Sequence, residues 1–149
     1  MTVAFRLRPA IREDAEAIRA LIRSTKLNPM GVSWQNFVVA VSSDDEIVGI
    51  GQLRPHRDGS MELASIAVKK KWRGQGIASS IVEHLIAQHD GPLYLTCASP
   101  MESFYIPFRF EKVTDSKQMP PYFRRVWRLF RLLTTVRADG VTLSVMKRD

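Results

Sequence analysis

The chain has 149 residues, of which 45% are hydrophobic and 25% are charged, and its formal net charge is +7 at pH 7. This length and composition are typical of one soluble globular domain with a core of its own. No stretch approaches the roughly 20 apolar residues of a membrane span, and the first ten residues lack the apolar segment of a signal peptide. We therefore expect one domain over residues 1–149, located in the cytoplasm and not associated with a membrane.

The positive charge is concentrated in the last third of the chain, where residues 101–149 hold ten Lys and Arg against five acidic residues. Such an excess suits an anionic ligand, an acidic partner or nucleic acid, and it carries no information about the fold. No nucleic-acid recognition motif accompanies the charge, so nucleic acid is not the favoured partner. A polyanionic cofactor would explain part of the excess.

Hydrophobic periodicity and turn residues predict alternating strands and helices along the chain. Strands are predicted at residues 5–8, 37–41, 47–53, 61–68, 93–98, 110–113 and 141–146. Helices are predicted at residues 11–22, from 77 to near 90, from 99 onward as a short piece, and at 122–133. The strand–helix–strand–helix centre, flanked by hairpin-like strands, implies a mixed α/β sheet.

A turn with two glycines, Arg73-Gly74-Gln75-Gly76-Ile77-Ala78, joins the strand at 61–68 to the following helix. Unpaired N–H groups at a helix N-terminus form an anion site, and glycines let a ligand approach the backbone closely. Lys69, Lys70 and Lys71 add positive charge beside it. By itself this pattern is weak, because two glycines before a helix occur by chance and a basic loop is usually solvated.

Two known phosphate-binding motifs do not fit this turn. A dinucleotide fingerprint needs a third Gly or Ala where Ser79 stands. A P-loop needs Gly-Lys-Ser or Gly-Lys-Thr, which the chain lacks. The turn does match the cofactor motif of the GNAT superfamily of N-acetyltransferases, which is Arg or Gln, two residues, Gly, one residue, and Gly or Ala.

The resemblance to the GNAT superfamily extends over most of the chain. Arg8-Pro9-Ala10, Ile47-Val48-Gly49 and the segment 62–68 resemble its early strands. Phe104-Tyr105 followed by Arg109-Phe110 resembles its late Phe-Tyr…Gly-Phe motif, with Arg109 standing where Gly is usual. The resemblance implies a central, mostly antiparallel sheet of six or seven strands flanked by helices.

The resemblance also implies acetyl-CoA as the acyl donor. In the family, free N–H groups of the strand before the turn bind the thioester carbonyl and the pantetheine arm, and the turn binds the pyrophosphate. The donor-binding residues implied here are Ile66, Ala67, Val68, Arg73, Gly74, Gln75, Gly76, Ile77, Ala78 and Ser79, with Val68 N–H as the donor to the carbonyl.

Acetyl transfer to an amine needs a base to remove a proton from the amine, and it benefits from an acid at the departing sulfur. Glu62 is the candidate base, because in a regular strand it shares a face with Ile66 and Val68. At about 3.3 Å per residue it lies some 13 Å along the strand from Ile66, so we expect proton removal through water. The alternative role for Glu62 is a half-exposed carboxylate paired with a neighbouring Arg.

Tyr105 is the candidate acid, since it matches the family tyrosine whose hydroxyl lies near the cofactor sulfur. The alternative is an aromatic residue packed beside Phe104 and Phe108 with its hydroxyl in solvent. The single cysteine, Cys97, excludes a disulfide framework and fits a reducing compartment. We expect it to be a small buried hydrophobe rather than a nucleophile.

The histidines are not predicted to bind metal. His84 and His89 would project about 140° apart on a helix, which does not make a metal pair. His56 lies in a turn beside Pro55 and is expected at the surface, with the lining of a substrate cleft as the alternative. The sequence therefore predicts no metal cofactor.

Together these features predict an acetyl-CoA-dependent N-acetyltransferase that works by direct attack of a primary amine in a ternary complex. A small molecule such as an amino acid is the leading acceptor and a protein amine is the second. Segments 26–34 and 117–121 are expected to border the acceptor cleft. A second hypothesis is a CoA-binding protein without catalysis that acts through its basic C-terminal third, on nucleic acid for example. Either a monomer or a homodimer fits the sequence.

Overall fold

A computed structural model describes residues 4–25, 27–134 and 140–149. Its strands are β1 (Phe5–Pro9), β2 (Phe37–Ser42), β3 (Ile47–Pro55), β4 (Met61–Val68), β5 (Leu93–Ala98), β6 (Glu111–Lys112) and β7 (Leu143–Arg148). Its helices are α1 (Ala15–Ser24), α2 (Ile77–Ala87), α3 (Glu102–Tyr105) and α4 (Pro121–Thr134).

The strands hydrogen-bond in the order β1-β2-β3-β4-β5-β7-β6. The pair β4–β5 is parallel, whereas β1–β2, β2–β3, β5–β7 and β6–β7 are antiparallel. The predicted mixed α/β fold with a mostly antiparallel sheet of six or seven strands is therefore confirmed, and the sheet has seven. The boundaries differ from prediction chiefly near the C-terminus, where β6 has only two residues and β7 begins at Leu143 rather than Val141.

Backbone contacts divide the chain into two compact units, Met1–Arg54 with Leu63–Asp90, and Pro55–Glu62 with Gly91–Asp149. In the first unit α1 and α2 cover opposite faces of the strands. Ile18 and Ile22 of α1 are buried in one cluster with Ile50 of β3, while Gly49 and Gly51 point toward α2. Because successive residues of a strand alternate between faces, β3 packs against α1 on one face and against α2 on the other.

An ion pair joins β1 to the beginning of α1. Asp14 accepts hydrogen bonds from the Arg8 guanidinium at 2.7 and 3.1 Å and from the Ile11 amide at 2.8 Å. The hydrogen bond from Arg8 lowers the pKa of Asp14, although burial opposes that shift. The Asp14 carboxylate therefore stays ionised. It gives the Arg8 guanidinium and the Ile11 amide a hydrogen-bond acceptor within the protein.

The second unit contains the first two residues of β4 with β5, β7 and β6. Glu62 of β4 stands opposite Tyr94 of β5 in the parallel register. Phe123 of α4 is fully buried with Val145 and Met119. At Phe123 the helix therefore faces a core.

Arg109 follows α3 and has φ 70° and ψ 24°, the left-handed conformation. This is the position where the family pattern carries Gly, so the loop keeps the backbone that a glycine would adopt. A side chain with a Cβ carries a steric penalty in this conformation. Arg109 therefore holds a backbone conformation that a glycine would adopt without this penalty.

Gly51→Ala is expected to destabilise the protein by about 2 kcal/mol, because an alanine methyl group would overpack the β3–α2 contact. A Cβ at Gly51 would lie 2.5 Å from Ile81 Cγ2 and 2.7 Å from Ile66 Cδ1. The measurement is the free energy of unfolding in urea. Gly59→Ala is the control, since its Cβ would meet no atom within 4 Å and only the strain of φ +88° is added. A smaller loss for Gly51→Ala than for the control would contradict the packing account.

Arg109→Gly is expected to raise the free energy of unfolding by roughly 0.5–1 kcal/mol, because the left-handed strain disappears and outweighs the added freedom of the unfolded chain. Arg109→Ala removes the same charge but keeps the strain, and should give no gain. Thermal unfolding of both variants tests this. An equal gain in both would assign the effect to charge instead.

Candidate active site

The turn after β4 has the geometry of an anion site. Gly74 and Gly76 have φ +77° and +84°, and α2 begins directly after Gly76. Within the described residues, Gly76 offers no side-chain cap to the first turn of α2. Arg73 Nε donates to Val68 O at 3.0 Å, which ties the turn back to the end of β4. The amides at the start of α2 receive no cap from Gly76 and are suited to an external acceptor such as a phosphate.

The two glycines are not required by packing within the protein. A Cβ built on Gly74 or Gly76 would meet no heavy atom within 4 Å. Their roles are the left-handed backbone and an open approach to the amides. These residues fit the pyrophosphate of CoA, which needs close backbone contact at a positive helix end.

The basic segment before the turn borders a cavity of about 810 Å³. Residues 68–73 line one part of it and residues of α1 line another. Lys69 forms an ion pair with Glu46 at 3.0 Å, so its charge is partly engaged within the protein. The cavity has the size of a small-molecule site, and its basic lining suits an anionic ligand.

β4 is not a regular strand, because Ser65 has φ 59°. The Ser65 hydroxyl accepts a hydrogen bond from Gln52 Nε2 of β3 at 2.9 Å. Strict alternation of faces is therefore interrupted between Glu62 and Ile66. The prediction that Glu62 shares a face with Ile66 and Val68 assumed a regular strand, and it does not follow from this backbone.

Glu62 lies beside a histidine in the second unit. Its Oε1 is 2.8 Å from His56 Nε2, and both side chains are only 7% exposed. The half-exposed carboxylate of the alternative is therefore wrong as to burial, and one partner of Glu62 is the imidazole of His56. The expectation that His56 lies at the surface is also wrong, because its ring is covered by the rings of Tyr122 and Phe123.

Tyr105 is nearly buried, with 9% of the residue exposed. Its ring packs edge-on against Phe104 and Phe110, at centroid distances of 4.9 and 5.9 Å. Burial, with a smaller contribution from Cys97, raises the pKa of Tyr105 to about 12. The hydroxyl therefore keeps its proton at every pH at which the protein would work. The alternative, in which the Tyr105 hydroxyl is exposed to solvent, does not fit this burial.

Cys97 does not have the properties of a nucleophile. Its Sγ lies 3.9 Å from Met146 Sδ. Burial and the charge of Glu102 raise the pKa of the thiol to about 11. Because the thiolate is the reactive form, a thiol with this pKa is inert near neutral pH.

Part of the arginine-rich face of α4 is engaged with the protein itself. Arg124 donates to Ser116 O and Met119 O, each at 3.0 Å. The Arg131 guanidinium lies over the Trp127 ring, 5.0 Å from its centroid. Over residues 4–25, 27–134 and 140–149, no group of three His, Cys, Asp or Glu could hold a metal ion.

The residues predicted from sequence fall into two sets. Ile66 through Ser79 lie in the first unit, on β4, the turn and α2, whereas Glu62 and Tyr105 lie in the second unit. Of the expected acceptor segments, Lys26 lies outside the described residues. Sequence reasoning missed the pairing of His56 with Glu62. The available signal was that both flank a short turn at Arg57-Asp58-Gly59, which brings the residues on its two sides close together.

Comparison with known proteins identifies the family. The model of the Acetyltransferase (GNAT) family matches residues 8–105. The N-acetylglutamate synthase of Neisseria gonorrhoeae, solved with coenzyme A and N-acetyl-glutamate, superposes with a TM-score of 0.75 at 17% identity, covering 99% of this chain and 35% of that chain. The chain thus spans about a third of that synthase. No curated protein matches the chain in sequence.

Two further structures align over nearly their whole length. A Mycobacterium tuberculosis protein solved with CoA has a TM-score of 0.70 and 20% identity, covering 96% of this chain and 98% of that one. A GNAT-family acetyltransferase from Staphylococcus aureus has a TM-score of 0.70 and 16% identity, covering 97% and 98%. At these identities the likenesses show the fold.

The chain belongs to the acetyltransferase (GNAT) family. The predicted family, the enzyme class of acyltransferase and acetyl-CoA as the donor are thereby confirmed. The part of the chain that the structure describes has no helix both long and apolar enough to cross a bilayer.

Gly76→Ala is expected to weaken CoA binding at least tenfold, because the added methyl group occupies the open approach to the amides. Gly140→Ala is a matched control, since Gly140 has φ +74° and equally open surroundings. Both variants should lose similar stability from backbone strain. Titration calorimetry with CoA gives the dissociation constants. Equal affinity in Gly76→Ala and the wild type would contradict this assignment of the turn.

Proposed function

We propose that this protein transfers an acetyl group from acetyl-CoA to a primary amine by direct attack. The observation that carries the proposal is Glu62, a buried carboxylate 2.8 Å from an imidazole at the start of the strand that leads into the cofactor turn. A buried carboxylate with a polar partner is a common arrangement for a general base. Family membership supplies the donor, and Glu62 supplies a group that accepts the amine proton.

In the proposed reaction each residue has one task. Glu62 accepts a proton from the ammonium form of the acceptor, through water, and leaves a neutral amine that attacks the thioester carbon. The C–N bond forms as the C–S bond breaks, and the nitrogen releases its second proton to solvent, so that the products are an amide and the CoA thiolate. The Val68 amide donates a hydrogen bond to the carbonyl oxygen as negative charge develops there. Tyr105 donates a hydrogen bond to the departing sulfur.

A route through an acetylated cysteine is not proposed. The only cysteine is Cys97, and its pKa of about 11 keeps the thiol protonated near neutral pH. The acetyl group would therefore pass to the amine directly, with donor and acceptor bound together.

We propose a small amine that carries a carboxylate, such as an amino acid, as the acceptor. The Arg54 guanidinium lies against Gly31, within 2.5 Å of the place where a Cβ would stand. A cation is thus brought to the 27–34 loop, which is expected to border the acceptor cleft. A guanidinium suits a carboxylate. The structure of the Neisseria gonorrhoeae synthase with N-acetyl-glutamate gives further support.

Glu62→Gln and Tyr105→Phe are each expected to lower kcat by about 10²-fold or more, the usual scale for loss of an acid or base. The affinity for CoA should stay the same, since neither residue belongs to the turn. Thiol release from acetyl-CoA against a panel of amino acids and other amines measures the rate. Because the pKa of Tyr105 is about 12, the rate should show no loss from its ionisation below pH 10.

Cys97→Ala is the control for these two variants and should retain nearly the wild-type rate. If Cys97→Ala abolished turnover while Glu62→Gln kept it, the direct-attack mechanism would be wrong. If no amine in the panel released thiol from the wild-type protein, the acetyltransfer proposal itself would fail.

A further inference from the structure

The Glu62 carboxylate is held by an imidazole across a hairpin. His56 follows the end of β3, and Glu62 is the second residue of β4. The His56 amide donates to Ser60 O at 2.9 Å and the Gly59 amide donates to His56 O at 3.0 Å, so the turn fixes the backbone of His56. A carboxylate that acts as a base is ionised and can only accept, so we assign His56 Nε2–H as the donor in the 2.8 Å contact.

The imidazole is held in turn by the first turn of α4. The Tyr122 ring stacks on it with centroids 3.7 Å apart and planes 20° apart, and the Phe123 ring meets it edge-on at 5.6 Å. These two rings restrict rotation of the imidazole. A donor that cannot rotate holds the acceptor carboxylate in one orientation. A solvated Lys or Arg side chain is free to move and would not do so.

Tyr122 is itself anchored to the same hairpin. Its backbone amide, in the first turn of α4, donates to Asp58 Oδ2 at 3.0 Å. Partial desolvation of Asp58 opposes ionisation, but hydrogen bonds from Ser60 and from this amide lower its pKa on balance. An ionised Asp58 therefore accepts a hydrogen bond from the Tyr122 amide at the N-terminus of α4. The contacts thus run in series, from Asp58 to the Tyr122 amide, from the Tyr122 ring to His56, and from His56 to Glu62.

We propose that His56 is a positioning residue, whose Nε2–H fixes the Glu62 carboxylate in the orientation that accepts the amine proton, and that Tyr122 holds the imidazole for this task. The proposal rests on the proposed function of Glu62 as the base. His56 touches neither substrate in this scheme. Its effect passes through the hydrogen bond to Glu62, so it should act on kcat rather than on donor binding.

Two substitutions at His56 separate the effect of its hydrogen bond to Glu62 from the effect of its packing against Tyr122. His56→Phe keeps a ring for Tyr122 to stack on but removes the donor. His56→Gln loses the stacking but places an amide N–H near the position of Nε2. We expect His56→Phe to lower kcat at least tenfold with KM for acetyl-CoA unchanged, and His56→Gln to recover most of that loss.

The positioning role is overturned if His56→Phe keeps the wild-type kcat. It is also overturned if both variants lose kcat equally in parallel with their melting temperatures, because that pattern marks a structural role. These outcomes differ from failure of the proposed function, in which the wild-type protein itself acetylates no amine.

A measurement without turnover covers the case in which His56→Phe does not fold. The chain has three histidines, so the imidazole N–H signals in a proton–nitrogen NMR spectrum are few, and the His56 signal is assigned by its loss in His56→Gln. We expect a His56 Nε2–H that exchanges slowly with water and shifts in Glu62→Gln. Tyr122→Leu should speed its exchange. A fast-exchanging or absent signal in the wild-type protein would overturn the arrangement.

Discussion

The central physical constraint in this protein is the burial of a carboxylate. Glu62 is 5% exposed, and a charge so removed from water is unstable without donors nearby. His56 supplies one donor, and its own burial is made favourable by stacking against Tyr122. The need to satisfy one charge thus links a hairpin turn, a strand and the beginning of α4. Apolar packing alone would not specify that linkage, because it is not directional.

The cofactor turn was predictable from sequence because its chemistry is local. Gly74 and Gly76 act through their own backbone conformation and through the helix that follows them. The strand periodicity before them is equally local, so β4 was predicted with its observed limits. The late motif was also recognisable despite Arg109, because Phe104-Tyr105 and Phe110 stand at the expected spacing around it.

The surroundings of Glu62 were not predictable in the same way. Tyr122 is 66 positions beyond His56 in the chain, and no periodicity connects a hairpin to a distant helix. Nothing in the sequence distinguishes Tyr122 from other aromatic residues on an amphipathic helix. The irregularity at Ser65 was equally hidden, because a serine within an alternating pattern does not suggest a positive φ. Long-range pairing and backbone strain depend on the whole fold, so a single sequence does not reveal them.

The pKa of Tyr105 limits what this residue can do as an acid. A simple thiol has a pKa of about 8.5, whereas the pKa of Tyr105 is about 12. Complete transfer of the tyrosine proton to a thiolate would therefore be uphill by more than three pKa units, about 5 kcal/mol at about 1.4 kcal/mol per unit. A hydrogen bond from a hydroxyl that keeps its proton has no such cost, and it strengthens as charge builds on the sulfur. The burial that makes Tyr105 a poor proton donor therefore suits it to act as a fixed hydrogen-bond donor to the departing thiolate, with the final proton coming from solvent after the product leaves.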